Sequence, residues 1–189
     1  VDVWLPDGID RKSKKSLPVI YMQDGQMMFR YPESLFAGSD SFWDVYKAIT
    51  RLVKSNEIGP PIVVVVASAL DPSYVKWHKD ARRAEFMPQK PVEENLKSRM
   101  ESGEVRSTDV GGIEEEDYVI SSDNYLRFLV EELKPFIDKT YPTLMGQADT
   151  FIMGSSMGGL ISAYAVAEYP EVYGGAACLS TAWKAMDGA

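Results

Sequence analysis

Short apolar runs that alternate with amphipathic stretches organise this chain. Val1 to Leu5 reads as a strand end closed by Pro6-Asp7-Gly8. Leu17 to Met22 is a continuous apolar run that stops at Asp24-Gly25, as a strand buried on both faces and feeding a tight turn would. Phe42, Val45, Tyr46, Ile49, Leu52 and Val53 then recur at steps of three and four, which predicts a helix with Asp40 or Ser41 as its N-cap. Pro60-Pro61 ends it. Ile62 to Ala67 follows as the most β-branched stretch of the chain and is expected to be a central parallel strand. Helical spacing returns at Tyr125, Phe128, Leu129, Leu133, Phe136 and Ile137, with Ser121, Ser122 or Asp123 as cap and Tyr141-Pro142 as stop. Phe151 to Met153 predicts a further strand, Leu160 to Pro170 a helix, and Gly175 to Ser180 a last strand.

Strands and helices in that alternation predict an α/β protein, because parallel neighbours need crossovers and helices supply them. Ligands of such sheets collect beyond the carboxyl ends of the strands. Between Leu70 and Ser122 the pattern dissolves into prolines, charges and Gly111-Gly112. That length is uncommon for an inert connection, so the stretch is read as an excursion over a ligand site.

Composition narrows the partners. With 189 residues, 45% hydrophobic and 25% charged, the chain has the make-up of one globular domain. Twenty basic against 28 acidic side chains leave a net charge of −8, the wrong sign for a nucleic-acid footprint. The longest apolar run, Ile62 to Leu70, falls far short of the ~20 residues of a membrane span, and the chain opens on no signal-peptide pattern. It reads as soluble, with the compartment and oligomeric state open. The single cysteine, Cys178, excludes an internal disulfide and a multi-cysteine metal site. Glu114 to Asp117 lacks the alternating ligands and glycine of a calcium loop and reads as a solvated acidic stretch. The methionines at 22, 27, 28, 153 and 157 read as core and pocket lining. No phosphate-binding glycine motif is present, so no nucleotide cofactor is expected.

The candidate chemistry lies in Phe151-Ile-Met-Gly-Ser-Ser-Met-Gly-Gly159. Gly154-x-Ser156-x-Gly158 stands directly after a predicted strand and directly before a predicted helix, the setting of a nucleophile elbow. The serine of such a turn is crowded, so the positions two before and two after it must lack side chains. Ser156 Oγ would then be held clear of the sheet at a helix N-terminus, where unpaired N–H groups and the helix dipole favour negative charge. The Met157 amide is one donor for an oxyanion. A second is expected from a loop after an earlier strand, and Asp24-Gly25-Gln26 has that setting, although an ordinary Asp-Gly turn has the same residues.

Together these segments resemble a known family. Leu17 to Phe29, Ile62 to Ser68, Arg83-Ala-Glu-Phe-Met-Pro88 and Phe151 to Tyr169 are similar to the putative-esterase family of α/β-hydrolases, which includes enterochelin esterases, esterase D, feruloyl esterase domains and the antigen 85 mycolyltransferases. The resemblance implies a three-layer α/β-hydrolase sandwich with a mostly parallel sheet. It implies that the Gln26 amide joins that of Met157 in an oxyanion hole. It also places Arg83 and Glu85 near the active-site rim, as substrate contacts or as a structural ion pair.

One part of the pattern is missing. Along an α/β-hydrolase the triad runs Ser, then Asp or Glu, then His, and no histidine follows Ser156. The single histidine, His78, lies upstream in the excursion and reads as a loop residue. Of the later carboxylates Glu168, Glu171 and Asp187, the first two end a helix and are expected to face solvent. The expectation is therefore one C-terminally incomplete hydrolase domain over residues 1–189, with acid and base beyond residue 189 and Gly175 to Ser180 left as a bare apolar edge. The expected function is that of a serine carboxylester hydrolase working through an acyl-enzyme on Ser156, on a small-molecule or carbohydrate-linked ester, with no metal or cofactor. An acyltransferase on the same scaffold, or a non-catalytic module without its general base, are the alternatives.

Overall fold

β-Branched residues fill the middle of the sheet because each must be covered on whichever face it points to. A computed structural model describes residues 1–28, 43–68, 79–102 and 120–186. Asp40, Ser41, Phe42, His78, Gly111-Gly112, Glu114 to Asp117 and Asp187 lie outside them. Five strands, β1 (Asp2–Trp4), β2 (Val19–Gln23), β3 (Ile62–Val66), β4 (Thr150–Ser155) and β5 (Gly175–Leu179), form one sheet in the order β1-β3-β2-β4-β5. β1 runs antiparallel to β3, and the remaining pairings are parallel.

Alternation along β2 and β3 sends side chains to two separate cores. Val19, Tyr21, Ile62, Val64 and Val66 pack with Phe86 of α2 (Lys79–Phe86), with Tyr125 and Leu126 of α4 (Ser122–Arg127), and with Ile161, Tyr164 and Ala165 of α6 (Met157–Glu168). Met22, Val63 and Val65 turn the other way, toward Ile49 of α1 (Val45–Lys54). Helices therefore cover both faces, and β3 is buried at all five positions. Full burial of each such residue is worth about 1.5–3 kcal/mol, which makes this strand the anchor of the sheet. β5 pairs with β4 alone among the described residues, and Leu179 is 49% exposed on it. The strand is thus an apolar edge.

The helices differ from the sequence pattern in three places. α1 starts later than predicted: its N-cap is Asp44, in a left-handed conformation (φ 46°), whose carboxylate takes a hydrogen bond from Lys47 Nζ at 2.7 Å instead of capping the first turn. The helix read from Tyr125 onward is continuous from α4 through a π-helical segment, Phe128–Leu133, into α5 (Lys134–Thr140). Pro135 lacks the N–H an unbroken α-helix would need and crowds the preceding turn, and the wider π turn directly before it accommodates both defects. The stretch Leu70 to Ser122 contains two helices, α2 and α3 (Gln89–Glu101). Their charged, weakly amphipathic sequences hide them from a search for apolar periodicity.

Three core tyrosines set a limit on alkaline stability. Burial raises the pKa of Tyr21, Tyr125 and Tyr173 well above the usual tyrosine value. The Tyr21 and Tyr173 hydroxyls have no hydrogen-bond partner among the described residues. Well below pH 10.0, the ordinary tyrosine value, all three are protonated in folded and unfolded chains. Above it the unfolded chain ionises and the native one does not, so stability falls as pH rises. The urea midpoint is expected to hold up to about pH 9.5 and to drop by about pH 11; a flat profile over that window would mean the tyrosines titrate freely.

Candidate active site

Where β4 runs into α6 the backbone makes a strained turn. Ser156 is the N-cap of α6 at φ 57°, ψ −120°, a region costing a non-glycine residue about 1–3 kcal/mol. Four hydrogen bonds hold it there. Its N–H donates to the Leu179 carbonyl of β5 at 2.9 Å, and its own carbonyl accepts from Gly159, Leu160 and Ala182 at 3.1, 3.2 and 3.1 Å. β5 and the residues after it therefore fix the serine, although neither belongs to the motif.

The glycines answer a close approach of backbone to backbone. A Cβ at Gly154 would lie 2.4 Å from both the C and O atoms of Gly158, and one at Gly158 would come within 3.1 Å of Asp24 Oδ2 and Gln23 Cβ. Gly159 belongs to the same packing, since its Cβ would meet Thr181 Oγ1 at 2.6 Å. The Gly-x-Ser-x-Gly motif does not include that third position. With the first turn of the helix pressed onto β4 in this way, Ser156 is left exposed at the carboxyl end of the strand. Met157, as first residue of α6, has no carbonyl four residues back within the helix to bond.

β2 ends beside it in the Asp24-Gly25-Gln26 loop. Asp24 is left-handed (φ 58°, ψ 47°) and precedes a single 3-10 turn, Gly25–Met27. Only glycine fits next, because a Cβ at Gly25 would stand 2.9 Å from Ala67 N and Val66 C at the end of β3. The Gln26 carboxamide ties the same two strand ends together: Nε2 donates to Ser68 Oγ at 3.0 Å, and Oε1 accepts from the Ser68 amide at 3.2 Å. The Asp24 carboxylate takes a bidentate ion pair from Arg82 of α2, with Nε to Oδ1 at 2.6 Å and Nη2 to Oδ2 at 2.8 Å.

These pieces enclose a cavity of about 270 Å³ lined by Asp24, Gln26, Met27, Trp43, Arg82, Ser155 and Ser156. It lies at the carboxyl ends of β2 and β4, where a parallel sheet presents its ligand site. Gln26 and Ser156, expected from sequence, are brought together here. Arg83 is exposed and Glu85 half-buried on α2, and neither is among the lining residues. Arg82 takes the place expected of its neighbour. Helical geometry could have found it: residues four apart share a face, Phe86 is fully buried, and Arg82 stands four before Phe86 whereas Arg83 is turned away.

Glu168 and Glu171 are not among the residues lining this cavity. Glu168 is half-buried at the far end of α6, where it is ion-paired with Lys90 of α3 instead of standing free in solvent. That contact raises the Lys90 pKa. Glu171 is exposed in the turn beyond. Of the methionines, Met27 lines the cavity while Met22 and Met28 are core. Among the described residues no three His, Cys, Asp or Glu side chains gather to hold a metal ion, and no helix is long and apolar enough to cross a membrane.

A mostly parallel sheet covered by helices on both faces, with a serine at a strained strand-to-helix turn, defines an α/β-hydrolase fold. The chain belongs to the esterase family described as "Putative esterase", matching it over residues 1–105 and 114–188. Its fold is shared with the BES protein from Bacillus cereus (18% identity, TM-score 0.62, 99% of this chain and 57% of that one). It is likewise similar to the siderophore hydrolase EstA from Aspergillus nidulans (18% identity, TM-score 0.62, 96% and 52%). A third similar structure is the enterochelin esterase from Shigella flexneri (17% identity, TM-score 0.56, 96% and 32%). The chain thus spans about half, or less, of the length of these proteins. No curated protein sequence matches it.

Proposed function

We propose that this chain is the nucleophile-bearing part of a serine carboxylester hydrolase. Ser156 Oγ attacks the ester carbonyl, and the amides of Met157 and Gln26 hold the oxygen as it becomes negative. The alcohol leaves, and water releases the acid from the acyl-enzyme. No metal or cofactor takes part. The observation supporting this reading is the exposed serine held at φ 57° beside the 24–26 loop, in a chain of the esterase family. Strain of that kind persists when surrounding contacts over-determine it, and a role in chemistry gives a reason to keep it. Small-molecule or carbohydrate-linked esters are the substrates proposed, since structural neighbours are named as a siderophore hydrolase and an enterochelin esterase.

No histidine that could accept the serine proton is among the described residues, since His78, the one histidine of the sequence, lies outside them. Along such chains the acid and then the histidine base follow the serine, and no histidine follows Ser156 in these 189 residues. The test is therefore made on the protein translated from the complete reading frame. A fluorophosphonate is expected to inactivate hydrolysis of a short activated ester and to leave its mass on the peptide containing Ser156. Inactivation with the label on another residue, or hydrolysis that survives saturating reagent, would refute the proposal.

A further inference from the structure

The proposed oxyanion turn depends on an unusual residue. Asp24 is left-handed and its side chain makes no cap to the turn that follows. Its carboxylate is instead wedged between three parts of the site. Oδ1 accepts from Arg82 Nε at 2.6 Å and from Gln26 Nε2 at 3.3 Å. Oδ2 accepts from Arg82 Nη2 at 2.8 Å and faces the first turn of the serine-bearing helix, 3.1 Å from where a Cβ on Gly158 would stand. Arg82 is itself fixed. Its guanidinium lies 4.9 Å from the ring centroid of Phe86, which is fully buried in the core. With side chains 12% and 5% exposed, the two partners are shielded from water.

We propose that Arg82 is a positioning residue that aims the Gln26 amide, acting through Asp24 and not by touching the substrate. The route is mechanical: core to Phe86, Phe86 to Arg82, Arg82 to the two oxygens of Asp24, and Asp24 to the turn that presents Gln26. A planar fork is needed, since two parallel hydrogen bonds define an orientation that the single point charge of a lysine does not. Misplacement of a transition-state donor by about 1 Å costs on the order of a hundredfold in rate. This inference rests on the proposed serine mechanism, and Arg82 has no role in chemistry without it.

The experiment compares wild type, Arg82→Lys and Asp24→Asn in the complete protein, with active sites counted by fluorophosphonate titration. Arg82→Lys keeps the charge and loses the fork. It is expected to lower kcat per titrated site by about 10- to 100-fold with KM changed less than about twofold. Asp24→Asn should fall similarly, and the double variant should be no worse than the lower of the two, because both act on one link. A raised KM with kcat intact would make Arg82 a substrate contact and overturn the proposal. So would fewer titratable sites with unchanged turnover per site, which marks a purely structural pair. Should wild type fail to be labelled on Ser156, the serine mechanism itself falls; if wild type labels and Arg82→Lys turns over normally, only the positioning role is lost.

Discussion

Ser156→Ala is expected to lower kcat/KM for ester hydrolysis by at least about a thousandfold, because removing a nucleophile leaves only binding and oxyanion stabilisation. The fold should survive, since the side chain is exposed and the four hydrogen bonds at this residue all use its backbone. Ser156→Gly sharpens the test. Glycine adopts φ 57° without the penalty of a Cβ, so this variant should be equally inactive and yet more stable than wild type by about 1 kcal/mol. Stability and activity would then move in opposite directions at one position, as expected where strain serves a reaction. Activity surviving in Ser156→Ala would end the serine mechanism, and a lower melting temperature for Ser156→Gly would show that the turn is not strained.

Gly154→Ala should produce the largest loss of stability of any single-methyl addition considered. The new Cβ would stand 2.4 Å from backbone atoms of Gly158. No side chain can rotate away, so β4 and the first turn of α6 must separate. Overpacking costs typically 1–3 kcal/mol, and a clash with backbone on both sides belongs at or above the top of that range. The expected result is a urea midpoint lowered by about 3 kcal/mol equivalent, with esterase activity lost as the serine shifts. Gly146→Ala is the control, because a Cβ there meets nothing within 4 Å, and its midpoint should stay within about 0.5 kcal/mol of wild type. Equal midpoints for the two variants would mean that the elbow is looser than this packing requires.

Much of this architecture is legible along the chain because the sheet is covered on both faces. Leu17 to Met22, Ile62 to Ala67 and Phe151 to Met153 are apolar without interruption, and each falls on a strand of the sheet, although β2 runs on to Gln23 and β4 extends past its run at both ends. The glycines of the elbow are legible for a different reason: only an absent side chain lets β4 touch α6, so the constraint is written at fixed spacing. α2 and α3 escaped notice because their charged faces leave little apolar periodicity to detect. The choice of Arg82 over Arg83 needed one more step, the helical phase set by Phe86.

Local spacing thus determined where the strands and the helices other than α2 and α3 form, that the sheet is largely parallel, and that a serine stands at a crowded turn between them. Those features depend on neighbours a few residues apart, and such neighbours are recorded in order. What faces that serine was decided only by the tertiary structure. The order β1-β3-β2-β4-β5 brings residue 24 beside residue 158 and residue 82 beside residue 24, and it makes the Leu179 carbonyl the anchor of the Ser156 amide. Contacts across 23 to 134 positions are chosen by how whole layers pack, and no short stretch of sequence holds that information.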